Sequence, residues 1–142
     1  MATVEVTFTP LPAHVRTARL VATAVARRSG VPESLLDEVR LAVGEACSRA
    51  VEAHRLNCPA EPIRVALTNQ AGRFEIEVVN AGKTPSTGTG ASSSQASFGP
   101  PGFALAVIAG LADEVQISET SVGTSVKMSW PLSGSLAAGS PA

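Results

Sequence analysis

The chain has 142 residues, enough for one ordinary domain that buries about two-thirds of its unfolded surface without metal or disulfide staples. Eleven Lys and Arg stand against twelve Asp and Glu, a net charge of −1 that argues against a nucleic-acid binder. No apolar run approaches the roughly 20 residues that span a bilayer, and the two cysteines, Cys47 and Cys58, are too few for a disulfide framework or a zinc site.

Met1 is followed by Ala-Thr-Val-Glu, not by a charged and then an apolar leader, so the expected location is the cytoplasm. Tyr is absent and Trp occurs once, so the core must be aliphatic. From Thr3 to Thr9, Val4, Val6 and Phe8 alternate with polar residues, the period of a half-buried strand. Pro10 and Pro12 end it, and Pro12 suits the first turn of a helix. Val15, Ala18, Val21, Ala22 and Val25 form that helix's apolar stripe, and Gly30 closes it. Its other face carries Arg16, Arg19, Arg27 and Arg28, which reads either as a solvated basic face or as a partner contact.

A second helix runs from about Pro32 to Leu56, with Leu35, Val39, Ala42, Val43, Ala46, Ala50 and Ala53 as its buried stripe. Glu38, Glu45, Arg49 and Glu52 fall beside the stripe and make one polar ridge, the place to look for chemistry. Strands follow at Ile63–Leu67 and Phe74–Val79, joined by a turn around Gln70-Ala71-Gly72. Between Gly82 and Gly102, 16 of 21 residues are Gly, Ser, Thr or Pro, which marks a long loop. A short helix at Phe103–Leu111 and strands at Glu114–Ser118 and Thr124–Trp130 complete the pattern, with Gly123 in the last turn. The order β-α-α-β-β-loop-α-β-β, with tight turns between paired strands, predicts an α+β two-layer sandwich with a mainly antiparallel sheet. One domain is expected over 1–130, with 82–102 as a loop and 131–142 as a disordered tail.

Glu45-Ala46-Cys47-Ser48-Arg49-Ala50-Val51 on the second helix resembles the N-box of the Bergerat-fold (GHKL) ATPases, in the version found in bacterial anti-sigma factors of the RsbW/SpoIIAB type. Asn80-Ala81-Gly82 resembles the family's Asp-x-Gly box, and Gly102-Phe103-Ala104-Leu105 its Gly-x-Gly box. Leu111-Ala112-Asp113-Glu114-Val115 and Gly123-Thr124-Ser125-Val126 resemble its closing strand pair. The order and spacing of these motifs carry the resemblance over residues 2 to 130. It implies the Bergerat fold and a nucleotide pocket between the N-box helix and the sheet, with the 82–102 loop as its lid. It also implies a role: holding a sigma factor away from RNA polymerase until a STAS-domain antagonist releases it. In active members the same domain phosphorylates that antagonist on Ser. Relatives often dimerise, so a homodimer stays open. Neither direct nucleic-acid binding nor a membrane is implied.

Three departures bear on the chemistry. Arg49 stands where the family has a magnesium-ligating Asn. A guanidinium has no lone pair to give, and a fixed positive charge repels a cation by roughly 1–4 kcal/mol per unit charge at about 4 Å. Arg49 also lies four residues after Glu45, where the two can pair on the helix surface, and such a pair would occupy the family's catalytic base. Asn80 replaces the adenine-recognising Asp and loses the charge-assisted part of that bond. Ala104 replaces a box Gly, and Thr84 replaces another, where a Cβ obstructs close backbone approach to phosphate. The family's N-box His has no match: Ala53 holds its position, and His54 reads as an ordinary polar helix residue. Lys83 reads as a solvated lysine or a phosphate contact. Cys47 reads as a small core residue, and neither cysteine has the His neighbour of a reactive thiol.

The resemblance therefore places nucleotide binding, weakened, at Arg49, Asn80, Gly82, Gly102 and Ala104, with Glu45 a vestigial base. Partner binding falls at Arg16 and Arg19, where the family has an arginine that meets both sigma factor and antagonist. Mg²⁺ is not expected and no metal site is assigned. The reading is an anti-sigma factor with little or no kinase activity. Against it stand an active serine kinase that uses Arg49 as a phosphate ligand, and a generic α+β interaction module.

Overall fold

A computed structural model describes residues 2–81, 103–120 and 123–132. Its elements are β1 (Ala2–Phe8), α1 (Pro12–Ser29), α2 (Glu33–Asn57), β2 (Ile63–Gln70), β3 (Arg73–Asn80), α3 (Phe103–Leu111), β4 (Glu114–Thr120) and β5 (Gly123–Pro131). The loop expected over 82–102 and the tail beyond Leu132 lie outside the described residues. β5 runs through Pro131, and the Leu132 N–H donates to the Gly72 carbonyl at 3.0 Å, so ordered pairing reaches into the segment read as tail.

α1 begins with Pro12, whose missing N–H is no loss in a first turn. It ends where Gly30 adopts φ 106° and donates to the carbonyls of Ala26 and Arg27. Arg27 and Arg28 lie in the last turn, at the negative end of the helix dipole. α2 starts one residue after Pro32, with Glu33 in its first turn, and buries Leu36, Val39, Ala42, Val43, Ala46, Ala50 and Ala53. Small residues on both helices let them pack side by side: Ala18, Ala22 and Ala26 of α1 are as buried as the alanines of α2.

The five strands form one antiparallel sheet in the order β1-β2-β3-β5-β4. β2 and β3 are joined by a two-residue turn in which Ala71 (φ 55°) and Gly72 (φ 77°) are both left-handed. Strand alternation sends Ile63, Val65 and Leu67, then Phe74, Ile76 and Val78, then Val126, Met128 and Trp130, to the helix-covered face. That face and the buried stripes of α1 and α2 make a single core, where each large side chain contributes about 2 kcal/mol through burial. Trp130, fully buried, sends its indole N–H to the Leu111 carbonyl at the end of α3. The opposite face is polar: Arg73 binds Asp113 at 2.7 Å and Ser129, and Ser125 donates to Glu77. Among the described residues no helix is long and apolar enough to cross a membrane.

Candidate functional site

The inner face of the sheet is apolar except at one end. The parity that buries Val78 also turns Asn80 inward, and Asn80 pairs in register with Thr124 of β5, which pairs with Glu119 of β4. Asn80, Thr124 and Glu119 therefore form a polar row across three strands at the point where the chain leaves β3. Asn80 and Thr124 are buried, and Glu119 is exposed at the sheet edge.

The C-terminal half of α2 lies over this end. Glu45, Arg49 and Glu52 are all half-buried there. Desolvation lowers the pKa of Arg49, and the negative charge of Glu119 pushes the other way. The expected i,i+4 pair does not form: among the described residues Glu45 and Arg49 make no ion pair, and the carboxylate acting on Arg49 comes from β4. Arg49 is half-buried, so its charge is partly desolvated, and the negative charge of Glu119 on β4 offsets part of that cost.

His54 also departs from the sequence reading. It is fully buried, and its Nε2 accepts a hydrogen bond from the Ala81 N–H at 2.9 Å. Its Nδ1 lies 2.8 Å from the Glu61 carbonyl, which can only accept, so the ring is the neutral tautomer with its proton on Nδ1. The partners absent from the sequence reading are backbone groups, which no residue pattern displays. Gly123, expected in a turn, is the first residue of β5. A Cβ placed there would fall 2.1 Å from the Asn80 carbonyl oxygen and 3.0 Å from Ala81 Cα. The Asn80–Ala81 corner is thus gripped by His54 on one side and abutted by Gly123 on the other.

Of the residues expected to bind nucleotide, Asn80 lies at this end of the sheet and Arg49 lies on α2, half-buried and within the electrostatic range of Glu119, while Glu45 is half-buried one turn before it. Ala104 falls in the first turn of α3, which packs against α2. Gly82 and Gly102, with Lys83 and Thr84, lie outside the described residues. Arg16 and Arg19 lie elsewhere, on the exposed flank of the helical pair, lining a groove with Leu20, Arg40 and Leu41. Sequence reasoning missed Glu119 and Thr124. Once β4 and β5 are read as strands, their parity with Ile117 and Val126 would have turned both inward.

The donor set does not fit Mg²⁺. Arg49, one turn after Glu45 on α2, is a cation without a lone pair to give. Cys47 is buried, and desolvation pushes its thiol up to about 12, so it supplies no nucleophile.

A family model described as a histidine kinase-like ATPase domain matches residues 8–130. The chain is also similar to a solved structure of the RsbU and RsbW domains of Rv1364c from Mycobacterium tuberculosis, at TM-score 0.68 and 18% sequence identity. That likeness covers 93% of this chain and 32% of the other, so the chain spans about a third of the length of that two-domain structure. No curated protein matches. The match over 8–130, on a fold with the N-box helix laid over an antiparallel sheet, establishes that the chain belongs to the histidine kinase-like ATPase domain family.

Proposed function

We propose that this domain is an anti-sigma factor that works by binding its partners, a sigma factor and a STAS-domain antagonist, and has lost most nucleotide chemistry. The observation that carries the reading is Arg49, a half-buried arginine in the electrostatic range of Glu119, at the position where the resemblance puts a metal ligand. Without the cation, the main electrostatic stabilisation of the transferring phosphoryl group is gone. Asn80 retains a carbonyl that can accept from an adenine amino group, which is consistent with weak, metal-independent binding. The fold shared with the RsbU and RsbW domains of Rv1364c, and the arginine-lined groove on α1 and α2, support the partner-binding half of the proposal.

One observation favours a kinase instead: Glu119 acts on Arg49 without lying within ion-pair distance, which leaves a guanidinium suited to a phosphate. Purified STAS-domain proteins from the same genome, incubated with the chain and Mg-ATP, separate the two. The partner-binding reading predicts no phosphoserine above background. Phosphorylation abolished by Glu45→Ala establishes the kinase.

A further inference from the structure

Of the two histidines, His14 is half-buried beside Phe8 and the Thr9 carbonyl, whereas His54 is fully buried with both ring nitrogens engaged. The His54 Nδ1–H donates to the Glu61 carbonyl at 2.8 Å, and Nε2 accepts from the Ala81 N–H at 2.9 Å. The second bond is open to the neutral ring alone. A proton on Nε2 would set two N–H donors against each other, so protonation and the Ala81 bond exclude each other.

The bond holds one particular corner. Asn80 with Thr124 is the last rung of the β3–β5 ladder, and Ala81 lies one residue past it. There the imidazole takes the Ala81 N–H from the α2 side, while Gly123 abuts the Asn80 carbonyl from β5. Loss of the imidazole acceptor removes the support from α2 directly after Asn80, the buried residue of the candidate site.

The surroundings do not hold a protonated ring in place. Among the described residues no carboxylate lies within ion-pair distance of His54. α2 packs against α1, α3, β2 and β3, and α3 carries no titratable residue. Arg64 of β2 and Arg73, Glu75 and Glu77 of β3 alternate away from the buried row that faces α2. On α1, Arg16 and Arg19 line the outer groove, Arg27 pairs with Glu33, and Arg28 is exposed. Along α2, Arg49 and Glu52 are half-buried, and Arg55 is exposed, as is Glu61 beyond the helix. Cys58, the remaining titratable neighbour, has its thiol pushed up by desolvation and by the charge of Glu61.

We propose that His54 is a proton-operated latch: neutral, it holds the Ala81 amide and with it the Asn80 end of β3; protonated, it lets that corner go. The sign follows from linkage. The released state binds a proton that the latched state cannot, so release grows as pH falls and is suppressed as pH rises. Histidine is the side chain whose charge changes between about pH 5 and 8. The latch stands on its hydrogen bonds and not on the partner-binding reading, so either can fail without the other.

The test is amide hydrogen exchange by NMR on the full chain, each rate divided by the random-coil rate at the same pH. The comparison runs from about pH 7.5 to about pH 5.5, where ordinary carboxylates stay ionised. Protection of the Ala81 N–H falls about tenfold or more, the scale of one hydrogen bond's net contribution. Protection of Ile76, in the middle of β3, stays within about twofold, as local opening requires. His54→Gln, which keeps an acceptor and does not titrate, removes the fall, and His14→Gln leaves it in place. Nitrogen-15 signals of the wild-type imidazole, which need no variant, place the neutral ring's proton on Nδ1. Four results would overturn the latch. They are equal Ala81 protection at both pH values, a parallel loss at Ile76 that marks general acid unfolding, a fall that persists in His54→Gln, and a neutral ring with its proton on Nε2.

Discussion

The imidazole of His54, near the end of α2, accepts a hydrogen bond from the Ala81 N–H at 2.9 Å and so fixes the corner that follows Asn80. Its other nitrogen holds the Glu61 carbonyl at 2.8 Å, tying together the end of the helix, the connection to β2 and the exit of β3. Glutamine at position 54 can reproduce the acceptor towards Ala81, and asparagine only the donor towards Glu61. His54→Ala is expected to cost about 2–4 kcal/mol, from lost burial and two unsatisfied backbone groups. His54→Gln should keep the Ala81 amide protected in hydrogen exchange, and His54→Asn should lose that protection. Urea unfolding and amide exchange measure the two effects.

Gly123 is required by its neighbour on β3. A methyl group there would lie 2.1 Å from the Asn80 carbonyl oxygen, a backbone atom that cannot step aside without breaking the β3–β5 ladder. Gly123→Ala is expected to lower stability by about 3 kcal/mol or more, seen as a drop in the thermal midpoint. Gly110, which has nothing within 4 Å of its Cβ position, is the control. Its replacement by alanine in α3 should leave stability unchanged or raise it.

The fold was legible because its core is periodic. Val4, Val6 and Phe8, the stripe of α2, and the alternation of Phe74, Ile76 and Val78 each specify an element; the β3 face is fully buried, the α2 stripe is kept with Leu36 buried in place of Leu35, and on the edge strand β1 Val6 and Phe8 are half-buried while Val4 is exposed. The candidate site was legible only in part. Arg49 and Asn80 stood out as departures from a motif, but what each one faces depends on pairing between distant strands. Glu119 acts electrostatically on Arg49 from β4, a strand paired to β3 only through β5. His54 finds partners because two backbone groups converge on it. Side-chain identity in one sequence carries neither fact.

The β2–β3 turn has a correctable strain. Both turn residues are left-handed, which Gly72 adopts freely and Ala71, at φ 55°, does not. Ala71→Asn, giving the Asn-Gly pair that suits such a turn, is expected to stabilise the domain by about 1 kcal/mol. A thermal melt showing a rise of a few degrees checks it.

The two thiols should differ in reactivity. Cys47 is buried with its pKa pushed up to about 12, whereas Cys58 caps α2 and is partly exposed. Titration of the native chain with a disulfide reagent at pH 8 should modify Cys58 alone, and denatured chain should yield both. The buried thiol also sets a direction with pH. From pH 9.0 towards 12 the unfolded state loses the Cys47 proton while the folded state keeps it, so its contribution to stability falls as pH rises through that window.

Nucleotide binding is the most direct measurement of the central claim. Calorimetry of ATP and ADP on nucleotide-stripped protein, with and without Mg²⁺, should show binding that is millimolar or undetectable and indifferent to the metal. Arg49→Asn combined with Asn80→Asp should introduce a dependence on Mg²⁺. Micromolar binding by the wild type that requires Mg²⁺ would contradict the account, since Arg49 could not then be the obstacle to metal-nucleotide chemistry.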